Sequence, residues 1–162
     1  MLIIGLDPGL RRTGWGVIER RGGGRLSHIQ SGVLKTDSGE LAPRLAALAA
    51  GLRAVLDEFA PDVAAVEKTF VNRDPAGALK LGQARAMSLL APAERGLPVF
   101  EYAPNEVKKT VVGVGHADKA QVGHMVRLLL PGAAPGGEDE ADALAIAICH
   151  AQHDRSSMKV RA

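Results

Sequence analysis

With 162 residues, the chain has the size of one domain with a substantial core, and its 46% hydrophobic and 23% charged content is that of an ordinary globular protein. A net charge of +2 and a sequence pI near 8.9 permit a nucleic-acid partner without demanding one, since many proteins without such a partner are as basic. The single cysteine, Cys149, excludes an internal disulfide and a cysteine zinc site and fits a reducing, cytoplasmic setting, and no apolar run approaches the ~20 residues of a membrane helix.

The opening Met1 to Asp7 lacks the basic start of a signal peptide. Leu2 to Leu6 reads instead as a continuous apolar strand that Asp7-Pro8-Gly9 breaks. Thr13 to Glu19 is a second strand, and Arg21-Gly22-Gly23-Gly24 turns the chain into a third over Leu26 to Lys35, so this pair is predicted antiparallel. The period then changes. Leu41, Leu45, Leu48, Leu52, Val55, Leu56 and Phe59 recur at three- and four-residue spacing, an amphipathic helix ending before Pro61. Val63 to Val66 is a short buried strand that ends on Glu67. Asp74-Pro75 is an N-cap with proline at the first helical position, and the helix it opens reaches about Ala91, where Pro92 ends or kinks it. Pro98 to Tyr102 is another strand, and Pro104 starts a short helix that carries Lys108 and Lys109. Asp118 and Gln121 have the spacing of a capping box for a helix burying Val122, Met125, Val126 and Leu129. After the Gly-, Pro- and Ala-rich connector 131–137, a last helix opens at Glu138-Asp139-Glu140 and continues through Ala143 to Cys149. Three leading strands followed by alternating helices and strands predict an α/β domain over residues 1–152, a five-stranded mixed β-sheet flanked by α-helices, with 153–162 a disordered basic tail.

Asp7 and Glu67 each follow a short apolar strand, beyond the carboxyl ends where α/β sheets bind ligands. A carboxylate contributes nothing to strand formation there. Each also has a plainer role open to it: Asp7 as the start of a turn, Glu67 as the ion-pair partner of Lys68. Asp139 and Asp142 are three apart and share a helical face, although acids in a first helical turn also simply complement the helix dipole. If these carboxylates converge, each pair ~4 Å apart repels by about 4 kcal/mol at an effective dielectric of about 20. Protonation or bound cations must relieve that repulsion. Oxygen donors without a Cys or His cluster suit Mg²⁺ or Mn²⁺. Two such ions ~3.5–4 Å apart activate a water on one side of a phosphodiester and stabilise the leaving oxygen on the other. Asp7 is the candidate to bridge them, with Glu67 and Asp142 each holding one and Asp139 completing the set.

Five motifs run along the chain in order: Gly5-Leu6-Asp7-Pro8-Gly9, Val66-Glu67-Lys68-Thr69-Phe70, Ala78-Leu79-Lys80-Leu81-Gly82-Gln83-Ala84-Arg85, Val107-Lys108-Lys109-Thr110-Val111-Val112-Gly113 and Asp139-Glu140-Ala141-Asp142-Ala143-Leu144-Ala145. Through them the chain, from Leu2 to about His150, resembles the RuvC family of Holliday-junction resolvases. The resemblance implies an RNase H-like fold, a homodimer, and Mg²⁺-dependent cutting of two opposed strands of a four-way DNA junction in recombination and repair, leaving a 3′-hydroxyl and a 5′-phosphate. It carries the catalytic and metal-binding roles onto Asp7, Glu67, Asp139 and Asp142, with two Mg²⁺ per subunit and Mn²⁺ as a substitute. Some members have His where this chain has Asp142, so here the set is all carboxylate. Lys108 and Lys119 match family lysines beside the bound DNA, and Phe70 matches an aromatic that wedges against the bases at the junction centre. Arg73 and Lys80 are candidate contacts to the DNA backbone. Without the family, the lysines read as solvated helix residues and Phe70 as core. A twofold dimer supplies both cuts, with the small residues Ala76, Gly77, Ala78, Gly82, Ala84 and Ala86 as its candidate interface element. A branch-migration complex of the RuvA–RuvB type is the implied protein partner.

Two other enzyme classes and one binding class compete. Asp7-Pro8-Gly9 with Thr13-Gly14-Trp15-Gly16 also looks like the first phosphate loop of actin-like ATPases and sugar kinases, but those need a duplicated domain that 162 residues do not hold. Another RNase H-like nuclease stays open. A non-catalytic junction-binding module would have lost one or more of the four acids, and all four are present.

Overall fold

In the computed structural model, which describes residues 1–70 and 73–154, β1 (Leu2–Asp7) is the middle strand of a five-stranded sheet. It pairs antiparallel with β2 (Arg12–Arg20), which pairs antiparallel with β3 (Leu26–Lys35) across the glycine turn. Gly23 and Gly24 in that turn have φ of 75° and 76°, a left-handed backbone that glycine adopts without a Cβ penalty. On the other side β1 pairs parallel with β4 (Val63–Glu67), and β4 parallel with β5 (Val99–Tyr102), giving the order β3-β2-β1-β4-β5. This is the expected α/β, RNase H-like mixed sheet.

Strands covered on both faces read as continuous apolar runs, and here each face has its own core. Helices α1 (Leu41–Phe59) and α2 (Pro75–Ala93) lie on one face, where Leu48, Leu52 and Leu56 pack with Ile4, Leu6, Val17 and Val66. Helices α3 (Pro104–Val112), α4 (Lys119–Leu129) and α5 (Glu138–His153) lie on the other, with Val107, Val126, Leu144 and Ile148 against Ile3, Ile18 and Ala65. The local signals act as their chemistry requires. Asp74 accepts from the Gly77 N–H at 3.1 Å. Gln121 N–H donates to Asp118 Oδ1, and Asp118 N–H donates back to Gln121 Oε1, each at 2.8 Å. Helix α2 runs one residue past Pro92, which lies in the last turn and removes one helical hydrogen bond there. Helix α5 ends at His153, and of the expected tail 153–162 the part from residue 155 onward lies outside the described residues. Among the described residues no helix is long and apolar enough to cross a membrane.

Helix α5 approaches β1 and β2 more closely than side chains would allow. A Cβ on Gly5 would sit 2.0 Å from the Ala143 carbonyl oxygen, and one on Gly14 would sit 2.1 Å from the Asp139 carbonyl oxygen. Gly5→Ala should therefore cost about 2–3 kcal/mol by overpacking against backbone that has no room to yield. Gly82→Ala, on an exposed helical position with open space around it, should instead stabilise by about 0.5–1 kcal/mol. Denaturant midpoints of the two variants check this contrast.

Candidate active site

Because β1 and β4 are parallel and in register at Leu6 and Val66, the two acids that end them, Asp7 and Glu67, emerge side by side at one sheet edge. The turn after Asp7 is held by the buried Thr13, whose Oγ1 donates to the Gly9 carbonyl at 2.7 Å and accepts from its N–H at 3.2 Å. The end of β4 is held by Arg85, whose Nε donates to the Glu67 carbonyl at 3.1 Å, and by the Lys68 N–H, which donates to the Tyr102 carbonyl at 2.8 Å. Among the described residues no ion pair joins Lys68 to Glu67. Across the sheet edge, the close approach of α5 brings Asp142 to the same place.

These three acids line a cleft of ≈ 270 Å³ together with Lys108 from α3 and Lys119 from α4, over an apolar floor of Val107, Val122 and Ala145. Burial, followed by repulsion from Glu67, Asp142 and Asp139, pushes the Asp7 carboxyl up to about 8. Burial and the Asp142 charge push Glu67 up to about 7, against the opposing pull of Lys108 and Lys119. Burial also raises Asp142, whose Oδ2 accepts from Lys119 Nζ at 3.3 Å. That ammonium is held more firmly charged by Glu138, 3.1 Å away, as well as by Asp142.

Asp139 stands apart. It lies on the same helix one turn earlier, adds its field to Asp7, and does not line the cleft. Its Oδ2 accepts from Arg12 Nε at 2.5 Å. Among the described residues no three His, Cys, Asp or Glu side chains are gathered as a ready metal-binding group. The donor set nevertheless fits a hard divalent ion: oxygen donors only, half-buried, and held near protonation by burial and by repulsion among the acids.

Phe70 follows β4 with 63% of its surface exposed, so it is not core. Arg73 and Lys80 are exposed at the start of α2 and do not line the cleft. Arg12, Arg85 and Glu138 carry contacts to the site that sequence reasoning missed. Arg12 had a signal as a basic residue beside the Asp-Pro-Gly turn, and Arg85 as the last residue of the third motif.

Asp7 makes the site costly. An unfolded chain ionises this carboxyl near its ordinary 3.8, whereas the fold retains the proton to about 8, so stability falls as pH rises across that window. Without divalent ions at pH 7, Asp7→Asn should stabilise by about 2 kcal/mol, a rise of roughly 4–8 °C in Tm for a domain of this size. The gain should vanish near pH 4, which thermal melts at the two pH values would show.

A sequence model of the family described as "Crossover junction endodeoxyribonuclease RuvC" matches residues 3–150. The protein of that name from Paracoccus denitrificans is 63% identical over 153 residues, 94% of this chain and 93% of the relative. Its counterpart from Cereibacter sphaeroides (strain ATCC 17029) is 60% identical over 162 residues, 100% and 96% of the two chains. Thermus thermophilus RuvC in complex with a Holliday junction substrate superposes with a TM-score of 0.85 at 38% identity, covering 93% of each chain. With five strands in this order, three acids meeting at one sheet edge and a family match from end to end, the chain belongs to the RuvC family of crossover junction endodeoxyribonucleases.

Proposed function

We propose that the chain resolves four-way DNA junctions as a metal-dependent endonuclease, cutting opposed strands by phosphodiester hydrolysis in the cytoplasm. The observation that carries this is the cleft where Asp7, Glu67 and Asp142 meet Lys108 and Lys119, in a chain whose Thermus relative is a complex with a Holliday junction substrate. Acids to hold cations and lysines to hold phosphate stand within one small volume, as hydrolysis of a polyanion requires.

Asp7, Glu67, Asp139 and Asp142 would hold the ions, two Mg²⁺ per subunit with Mn²⁺ as a substitute. Asp7, on which the other three all act, is the bridging candidate. Bound there, the ions supply water activation and stabilisation of the leaving oxygen. The chain's own residues prepare the rest. Lys108 and Lys119 face the cleft from two helices and would grip the scissile phosphate from two sides, steadying the charge that develops on its oxygens. Asp7 and Glu67 hold protons near neutral pH and must release them to act as ligands, so ion affinity rises with pH through about 7 to 8. The exposed Phe70 is suited to wedge into an unstacked junction centre. Arg73 and Lys80, exposed nearby, suit contacts to the DNA backbone.

Two cuts on one junction call for a twofold dimer. On α2 the residues Leu79, Gly82, Ala86 and Leu90 form an exposed, largely apolar stripe at helical spacing, with Leu79 66% exposed. Ala84, one of the small residues expected at the interface, is buried within the protomer and serves its own core. A branch-migration complex of the RuvA–RuvB type remains the proposed protein partner by family.

Incubation with a synthetic four-way junction and with linear duplex, each with Mg²⁺ or EDTA, tests the activity. Paired nicks are expected on the junction alone and only with Mg²⁺; equal cutting of linear duplex would refute the assignment. Asp7→Asn should lower cutting by about a thousandfold or more while junction binding survives, since it removes an ion ligand and no phosphate contact. Sedimentation should show a dimer that Leu79→Asp drives towards monomer.

A further inference from the structure

Asp139 lies outside the cleft, and its carboxylate is taken by one side chain, that of Arg12. Its carbonyl passes over Gly14 of β2, so the start of α5 is fixed against that strand and only the carboxylate is free to turn. Arg12, the first residue of β2, takes that carboxylate through Nε, and no other ion pair of Arg12 occurs among the described residues. The contact is partly open to solvent, with the two side chains 49% and 28% exposed. Asp142, one turn on, also meets a cation, but Lys119 is shared with Glu138, so its position does not depend on Asp142 alone. Among the described residues, the only ion pair of Arg12 and the only one of Asp139 is the one between them.

A pair as exposed as this is held weakly. A divalent cation arriving among Asp7, Glu67 and Asp142 offers Asp139 a stronger attraction than the guanidinium does. The guanidinium fork, once released, has the geometry to grip a phosphate in two-point fashion.

We propose that Arg12 is a positioning residue of the active site: it holds the Asp139 carboxylate aside until a divalent cation draws it into the cleft. This rests on Asp139 being one of the ion-binding acids.

The test is Mn²⁺ binding to the full chain without DNA, followed by electron paramagnetic resonance. Wild type is compared with Arg12→Gln and Arg12→Lys, and with Arg12→Gln in an Asp139→Asn background, all verified as folded by thermal melts. Arg12→Gln should bind about threefold to fivefold tighter, the worth of an exposed ion pair. Arg12→Lys should stay near wild type, and Arg12→Gln should change nothing once Asp139 is Asn. Unchanged or weaker binding by Arg12→Gln overturns the proposal. So does an equal gain in the Asp139→Asn background, which marks a long-range charge effect in place of a released ligand. Asp7→Asn separates the two levels. If it abolishes binding while Arg12→Gln does nothing, only the role of Arg12 fails; if Mn²⁺ binds Asp7→Asn as well as wild type, the ion site itself is misassigned and both fail.

Discussion

The contact on which this molecule depends is backbone against backbone, where α5 crosses β1 and β2 at Gly5 and Gly14. Side chains there would push the helix away from the sheet, and with it the carboxylate of Asp142. The helix itself is built for the contact. From Ala143 to Ala151 every residue is buried, and four of the nine are alanine, so the interface is thin. Its far end is tied down as well. The Tyr102 hydroxyl and His150 Nδ1 are hydrogen-bonded at 2.8 Å, and Arg20 pairs with Asp154 at 3.2 Å. A helix clamped along its length delivers the acids of its first turns to the sheet edge with little freedom to drift, which is what a site relying on preorganised charge needs.

That rigidity brings a cost in charge. Three acids come together where burial and mutual repulsion work against ionisation, and the fold answers only in part, with Lys108 and Lys119 beside the cleft and Arg12 on its margin. The deficit of positive charge suits the proposed binding of divalent cations. Full neutralisation by fixed cations would leave nothing for a divalent ion to bind, whereas full exposure of the acids would forfeit the field that attracts it. Stability given up at the proposed active site is a common trade in enzymes.

Much of the architecture is legible in the residues alone. Apolar runs mark β1 and β4, three- and four-residue spacing marks α1, and Asp74-Pro75 and Asp118 with Gln121 mark helix starts whose hydrogen bonds take the expected form. These signals are local: each depends on a period or a cap completed within a few residues. The placement of Asp7 and Glu67 at strand ends is equally local, and their adjacency follows once β1 and β4 are parallel neighbours.

What local signals do not carry is the choice of partner across the chain. Asp139 and Asp142 share one helical face, yet Asp142 lines the cleft and Asp139 turns to Arg12, 127 residues away in sequence. Lys108 and Lys119 belong to separate helices and meet at the acids only because α3 and α4 pack on the same side of the sheet. Ala84 has the small side chain of an interface residue and is spent on the core. Periodicity and capping are short-range, so the residues alone indicate which elements form, which faces they bury and which carboxylates stand at strand ends. Which acids share a volume and which cation each one meets is settled by packing over the whole chain, because it depends on how closely α5 can approach the two glycine-bearing strands.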